Sequence, residues 1–315
     1  MKELPEQDVT SPAPVLSQPE SIGADAPLRP LFRALLFFGI GIVLVFLVGS
    51  LVAPFGAAQG RSHGWQVQGA PLAALYALTC AALLLETWLF TKALDQRSLR
   101  TLGLWFYAGW GRELAGGAGL GASLMLATVA VLVAARGVTY HGWNELSGAG
   151  LLSFAGTAGI LALAAAFEEI AFRGYAFQRL VDAWGPLGAT VVFAALFGAA
   201  HIPNPSATPV STANTVLAGI LFSLAYLRTR GLWMPIGLHW AWNFAMGPVL
   251  GLPVSGIKFT PMLLRAEPAG TRWLSGGPYG PEGGLAATPL VLLGIFWLAR
   301  TRRIAPSPAM AEALK

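Results

Sequence analysis

The apolar run that begins at Leu151 ends in Phe167-Glu168-Glu169-Ile170-Ala171-Phe172-Arg173, two adjacent carboxylates and an arginine placed directly on a membrane-like stretch. Helical geometry puts Glu169 one turn before Arg173, in the order that favours an ion pair, and turns Glu168 about 100° away from Glu169. One carboxylate is thereby neutralised and one is left over. His201 closes a second apolar run, Phe197-Gly198-Ala199-Ala200-His201, just before Pro203. In Leu238-His239-Trp240-Ala241-Trp242-Asn243, His239 and Asn243 are four residues apart and share a helical face. Each feature also has a structural reading. The charges mark a cytoplasmic helix end, His201 caps a helix C-terminus, and His239 with Asn243 makes an interhelical hydrogen-bonded pair. Co-occurrence favours chemistry, because an ionisable group at membrane depth costs on the order of several kcal/mol. Two of the four histidines nevertheless join the Glu-Glu-Arg cluster there.

Other residues contribute less. Glu86 is a further intramembrane acid without comparable neighbours, and His63 and His141 fall in predicted outer loops. The single cysteine, Cys80, sits in an apolar run, so neither an intramolecular disulfide framework nor a thiolate cluster for zinc is expected. No HExxH pair, Walker loop or GxSxG elbow occurs.

The elements that must position these groups follow from composition. Of 315 residues, 55% are hydrophobic and 11% charged, with mean hydropathy +0.61, far from the roughly 25% charge of soluble globular chains. A soluble enzyme is excluded. The excess of 20 Lys and Arg over 15 Asp and Glu is spread thinly, which gives nucleic-acid binding little support. Eight apolar runs, at about 31–53, 71–91, 114–135, 151–172, 187–202, 213–229, 232–250 and 287–300, recur near the ~20 residues a helix needs to cross a bilayer. Runs rich in Ala, Leu and Gly without strict alternation read as helices rather than barrel strands. The fold class is therefore all-α, a polytopic transmembrane bundle of about eight helices.

With the N-terminus inside, Arg61, Arg136, Lys258, Arg265 and Arg272 fall in outer segments, leaving fifteen of the 20 Lys and Arg inside. That bias puts both termini in the cytoplasm. Residues 1–28, rich in Pro, Ser and acids, read as a disordered cytoplasmic tail, without the apolar stretch of a cleavable signal peptide. Residues 29–304 form the bundle and 305–315 a short cytoplasmic tail. The Gly- and Pro-dense stretch 251–289 reads as an irregular outer loop or re-entrant cap. No internal repeat suggests an inverted-repeat transporter.

Taken in order on successive apolar helices, EExxxR at Glu168-Glu169 and Arg173, FxxxH at Phe197 and His201, and HxxxN at His239 and Asn243 resemble the CAAX prenyl endopeptidase type II family, the CPBP or Abi family of intramembrane proteases. The resemblance covers roughly residues 150–250. The run GGPYGPEGG at 276–284 also looks like a feature of bacterial members, which implies a bacterial plasma membrane. The resemblance implies that Glu168 and His201 bind and deprotonate a water molecule, and that His239 and Asn243 stabilise the oxyanion formed at a peptide carbonyl. Glu169 and Arg173 would hold the helix and orient Glu168. The implied partners are the bilayer and a membrane-embedded or lipidated, CAAX-like substrate.

A metal-dependent version stays open, since Glu168, His201 and His239 supply the two-His, one-carboxylate set of some catalytic zinc centres. The metal-free glutamate mechanism, with no cofactor, is the preferred expectation, because the ligands come from three helices without local spacing. Two further readings keep the residues and drop the protease: a non-catalytic immunity or scaffolding protein, and a small transporter relaying protons or a cation. One geometric requirement is severe. Upright helices would put Glu168 about 25 Å from the outer face and His201 about 21 Å from the inner face, at different depths. Tilting, a break near Gly185-Pro186-Leu187-Gly188, or a short fifth helix set deep in the bundle is needed to bring them level.

Overall fold

A computed structural model describes residues 28–57 and 69–315. Residues 1–27 of the expected tail, and the segment holding Arg61 and His63, lie outside the described residues. Every expected apolar run is helical: α1 (Leu28–Ala57), α2 (Ala70–Phe90), α3 (Trp110–Ala134), α4 (Gly148–Arg173), α5 (Tyr175–Ala200), α6 (Pro209–Thr229), α7 (Trp233–Phe244) and, after the short α8 (Arg272–Ser275), α9 (Ala287–Arg300). A last short helix, α10 (Pro308–Ala313), buries Met310. The helices show large apolar side chains to the outside, Phe46, Leu152 and Leu187 among them. In lipid this surface is matched, whereas in water it would be an aggregation hazard. The chain is an all-α integral membrane bundle with one small sheet.

Five helical stretches are long and apolar enough to cross a membrane, one of them the 53 residues Gly148–Ala200 that hold α4 and α5. At ~1.5 Å per residue, α7 and α9 span only about 18 and 21 Å. The run 232–250 does not continue as one α-helix, because a π-helical turn at Ala245–Val249, containing Pro248, follows α7. Such turns replace the regular hydrogen-bond ladder and recur near functional sites.

The break expected near Gly185 is present. Gly185 has φ 74° and ψ 171°, open to glycine because it lacks Cβ, and Pro186 cannot continue a helical hydrogen bond. Antiparallel partners then lie on either side of it: Phe172 meets Phe197 at 5.2 Å between ring centroids, and Phe177 meets Phe193 at 5.6 Å. Gly185 stands 17 residues after Glu168 and 16 before His201. The reversal therefore carries these two to one level, which resolves the difference in depth.

A second close approach positions α7. A Cβ on Gly117 or Gly121 of α3 would fall 2.0 Å from the Met234 carbonyl oxygen or 2.2 Å from that of Leu238. These small residues, four apart, let the two backbones touch, as membrane helices do where dispersion rather than water drives packing. At one end of the bundle Asp95 pairs with Arg33 at 2.9 Å and with Arg179 at 3.3 Å, tying the start of α1 to the segment after α2 and to the first half of α5.

The loop 251–289 is more ordered than a Gly- and Pro-rich stretch suggests. Its strand β2 (Leu264–Pro268) pairs antiparallel with β1 (Val138–Trp143), in the register Val138 with Pro268 and Tyr140 with Ala266. His141, expected in a loop, lies on β1, with Nε2 3.7 Å from a Glu267 carboxylate oxygen. The pairing is a small addition to the helical class, and sequence periodicity missed it because each strand is only five or six residues long.

Candidate active site

Glu168 and Glu169 sit near the C-terminal end of α4 and face different surroundings, as their 100° offset requires. Glu169 and Arg173 are both 0% exposed and pair at 3.3 Å. The guanidinium also donates to the Gly219 carbonyl at 2.9 Å and lies over the rings of Phe197 at 4.6 Å and Phe222 at 5.2 Å. Taking charges out of water is tolerable only with such partners. Glu168, with 21% of its side chain exposed, opens instead onto a cavity.

His201 follows the last turn of α5, and Nδ1 lies 2.8 Å from the Phe197 carbonyl. A carbonyl only accepts, so Nδ1 donates and the other nitrogen is free to face the cavity. The helix-capping reading and the site reading thus describe opposite edges of one ring. His239, on α7, donates from Nδ1 to Glu169 at 2.9 Å, and its ring stacks on Phe222 at 4.7 Å. Nε2 of His201 and Nε2 of His239 each stand 3.8 Å from the same Glu168 carboxylate oxygen. Glu168, His201, His239 and Asn243 all line one cavity of about 560 Å³. Asn243 lies one turn beyond His239 on α7, half-buried.

Two features were not evident in the sequence. Glu169 bonds directly to His239 rather than to Glu168; the i,i+4 pattern revealed only its arginine partner. The cap also reaches the site. Glu282 accepts from Trp242 Nε1 at 2.9 Å and from the Ser255 amide and hydroxyl at 2.9 and 2.7 Å, and both Glu282 and Ser255 line the cavity. Asn214 of α6 clamps the same loop, donating to the carbonyls of Glu282 and Gly284 at 2.8 and 2.9 Å. Tyr76 of α2 lines the cavity as well, its ring 6.0 Å from Phe167. Glu86 does not join the site. It is buried beside Gly41, with neither carboxylate oxygen hydrogen-bonded among the described residues.

The three residues of the zinc alternative converge, with Nε2 of His201 and of His239 each 3.8 Å from one Glu168 oxygen. Among the described residues, no group of three or more His, Cys, Asp or Glu is arranged to hold a metal ion.

No curated protein and no solved structure matches the chain. Residues 149–245, which run from the start of α4 through α7 and contain Glu168, Glu169, Arg173, His201, His239 and Asn243, match the family model of type II CAAX prenyl endopeptidase Rce1-like proteins.

Proposed function

We propose that the protein is an intramembrane endopeptidase that hydrolyses a peptide bond in a membrane-anchored or lipidated substrate, with Glu168 as general base. The observation that carries this reading is the approach of two imidazole Nε2 atoms to one Glu168 oxygen at 3.8 Å. That separation is too long for a direct hydrogen bond and suits a shared water. With Nδ1 of His201 committed to the Phe197 carbonyl, its neutral ring offers a lone pair at Nε2, which accepts a hydrogen bond from one O–H of that water while Glu168 removes the proton of the other. The water oxygen bonds to the peptide carbonyl carbon. The resulting oxyanion is met by the Asn243 amide and by Nε2–H of a doubly protonated His239, whose Nδ1–H remains on Glu169. Glu168 then passes its proton to the leaving nitrogen as the C–N bond breaks, so protons balance without an acyl-enzyme.

The cavity supports a membrane-anchored substrate. Phe38, Ile42 and Val45 of α1 and Leu83 of α2 form an apolar wall continuous with the polar groups, able to hold a hydrocarbon or apolar segment beside the scissile bond. The excess of Lys and Arg on inner segments supports an orientation with both termini in the cytoplasm.

This mechanism uses no metal. Protein purified in detergent, reconstituted and assayed on a lipidated peptide is expected to keep its rate in 1,10-phenanthroline and to hold far less than one zinc per chain by elemental analysis. Loss of activity on chelation, with recovery on adding zinc, would replace Glu168 as sole activator of the water.

A further inference from the structure

Helix α6 carries none of the groups that the hydrolytic steps use, yet one of its side chains lies directly against them. Gly219 sets the height of α6 in the bundle. Its carbonyl accepts from the Arg173 guanidinium at 2.9 Å, and a Cβ at this position would fall 2.8 Å from the Ala194 Cα of α5. Phe222, nearly one helical turn further on, is 4% exposed and lines the cavity. Its ring lies almost parallel to the His239 imidazole, with centroids 4.7 Å apart and 16° between the planes. It is itself held by an edge contact with Phe197, at 5.9 Å and 89°, and Phe197 lies 4.6 Å from the ring of His201.

We propose that Phe222 is a positioning residue for hydrolysis, its ring fixing the plane of His239 so that Nε2 stays aimed at the reacting carbonyl. The inference rests on the endopeptidase reading above and adds the group that keeps one of its oxyanion donors in line. The bond from Nδ1 to Glu169 anchors only one edge of the imidazole. A single bond leaves the ring free to rock about it, and the terminal torsion of a histidine has broad wells that do not stop this. An offset-parallel aromatic neighbour supplies the missing constraint, because the contact between two flat faces is lost when either ring turns. An aliphatic side chain fills most of the same space and offers no flat face. The aim matters, since a misplacement of about 1 Å in a reacting constellation costs on the order of 10²-fold in rate.

The test compares the full-length wild type with Phe222→Leu, Phe222→Met and Phe222→Tyr in liposomes, measuring kcat and KM on one lipidated peptide and the melting temperature of each protein. The two aliphatic variants are expected to lose at least about tenfold in kcat with KM within about threefold of the wild type. Phe222→Tyr, which keeps the flat ring, should hold kcat within about threefold. Rescue by the tyrosine, at melting temperatures no higher than those of the aliphatic variants, separates orientation of His239 from packing alone. A folded Phe222→Leu or Phe222→Met protein with a kcat close to the wild type overturns the proposal. A raised KM at constant kcat also overturns it, because the ring would then touch substrate. So does an equal loss in a folded Phe222→Tyr protein, and so does the failure of both aliphatic variants to fold, which would make Phe222 a packing residue. Absence of cleavage by the wild type instead tells against the endopeptidase reading and takes the proposal with it.

Discussion

Glu169 accepts a hydrogen bond from Nδ1 of His239 at 2.9 Å, while the neighbouring Glu168 faces Nε2 of the same ring at 3.8 Å. Two consecutive carboxylates of one helix thus address opposite edges of an imidazole borne by another. Because Glu169 is also the partner of Arg173, one side chain both neutralises a buried guanidinium and orients the proposed oxyanion donor. Glu169→Gln is expected to lower kcat by 10- to 100-fold, as loss of an outer-shell partner of a functional histidine does in metal sites. It should also destabilise the protein by about 3–5 kcal/mol, because Arg173 keeps its charge without its carboxylate. Thermal unfolding in detergent and single-turnover proteolysis separate the two effects.

Asn243 shares the α7 face with His239, and no hydrogen bond among the described residues requires it for packing. If its amide meets the developing oxyanion, Asn243→Ala should reduce kcat by about 10²–10³-fold with little change in KM, the signature of an interaction made in the transition state. A rise in KM at constant kcat would instead assign it to substrate binding.

The level placement of Glu168 and His201 depends on the reversal at Gly185. With φ 74° and ψ 171°, this backbone lies in a region open essentially to glycine. Gly185→Ala should therefore cost about 1–3 kcal/mol in unfolding measurements. Nothing stands within 4 Å of the position a Cβ would take, so the cost reports backbone strain rather than a clash. Proteolysis should fall further than stability if the turn sets the register of the two residues. Unchanged stability would show that the reversal is imposed by the packing around it.

The parts of the site that could be read from the sequence were those where a polar residue interrupts an apolar run. Lipid makes such residues costly, and Glu168, Glu169, His201 and His239 therefore stand out. The helices were legible for the same reason, since backbone groups in hydrocarbon must be satisfied within the segment. The bond from Glu169 to His239 was not, because it joins residues 70 apart and no local spacing encodes it. Glu282 was hidden by its setting, since a charge in a Gly- and Pro-rich loop ordinarily faces water. The reversal at Gly185-Pro186 could be named only as one of three ways to reconcile two depths. The run 232–250 concealed the end of α7 because a π-turn keeps the apolar composition while changing the hydrogen-bond ladder.

Replacement of Glu168 by Gln tests the central claim most directly, since it keeps the size of the side chain and removes the base. Cleavage of a lipidated peptide by the reconstituted Glu168→Gln protein should fall by at least about 10³-fold. Its melting temperature should stay within a degree or two of the wild type, because this side chain faces the cavity and leaves the Glu169–Arg173 pair intact. A folded Glu168→Gln protein that cleaves the peptide within tenfold of the wild-type rate would contradict the account.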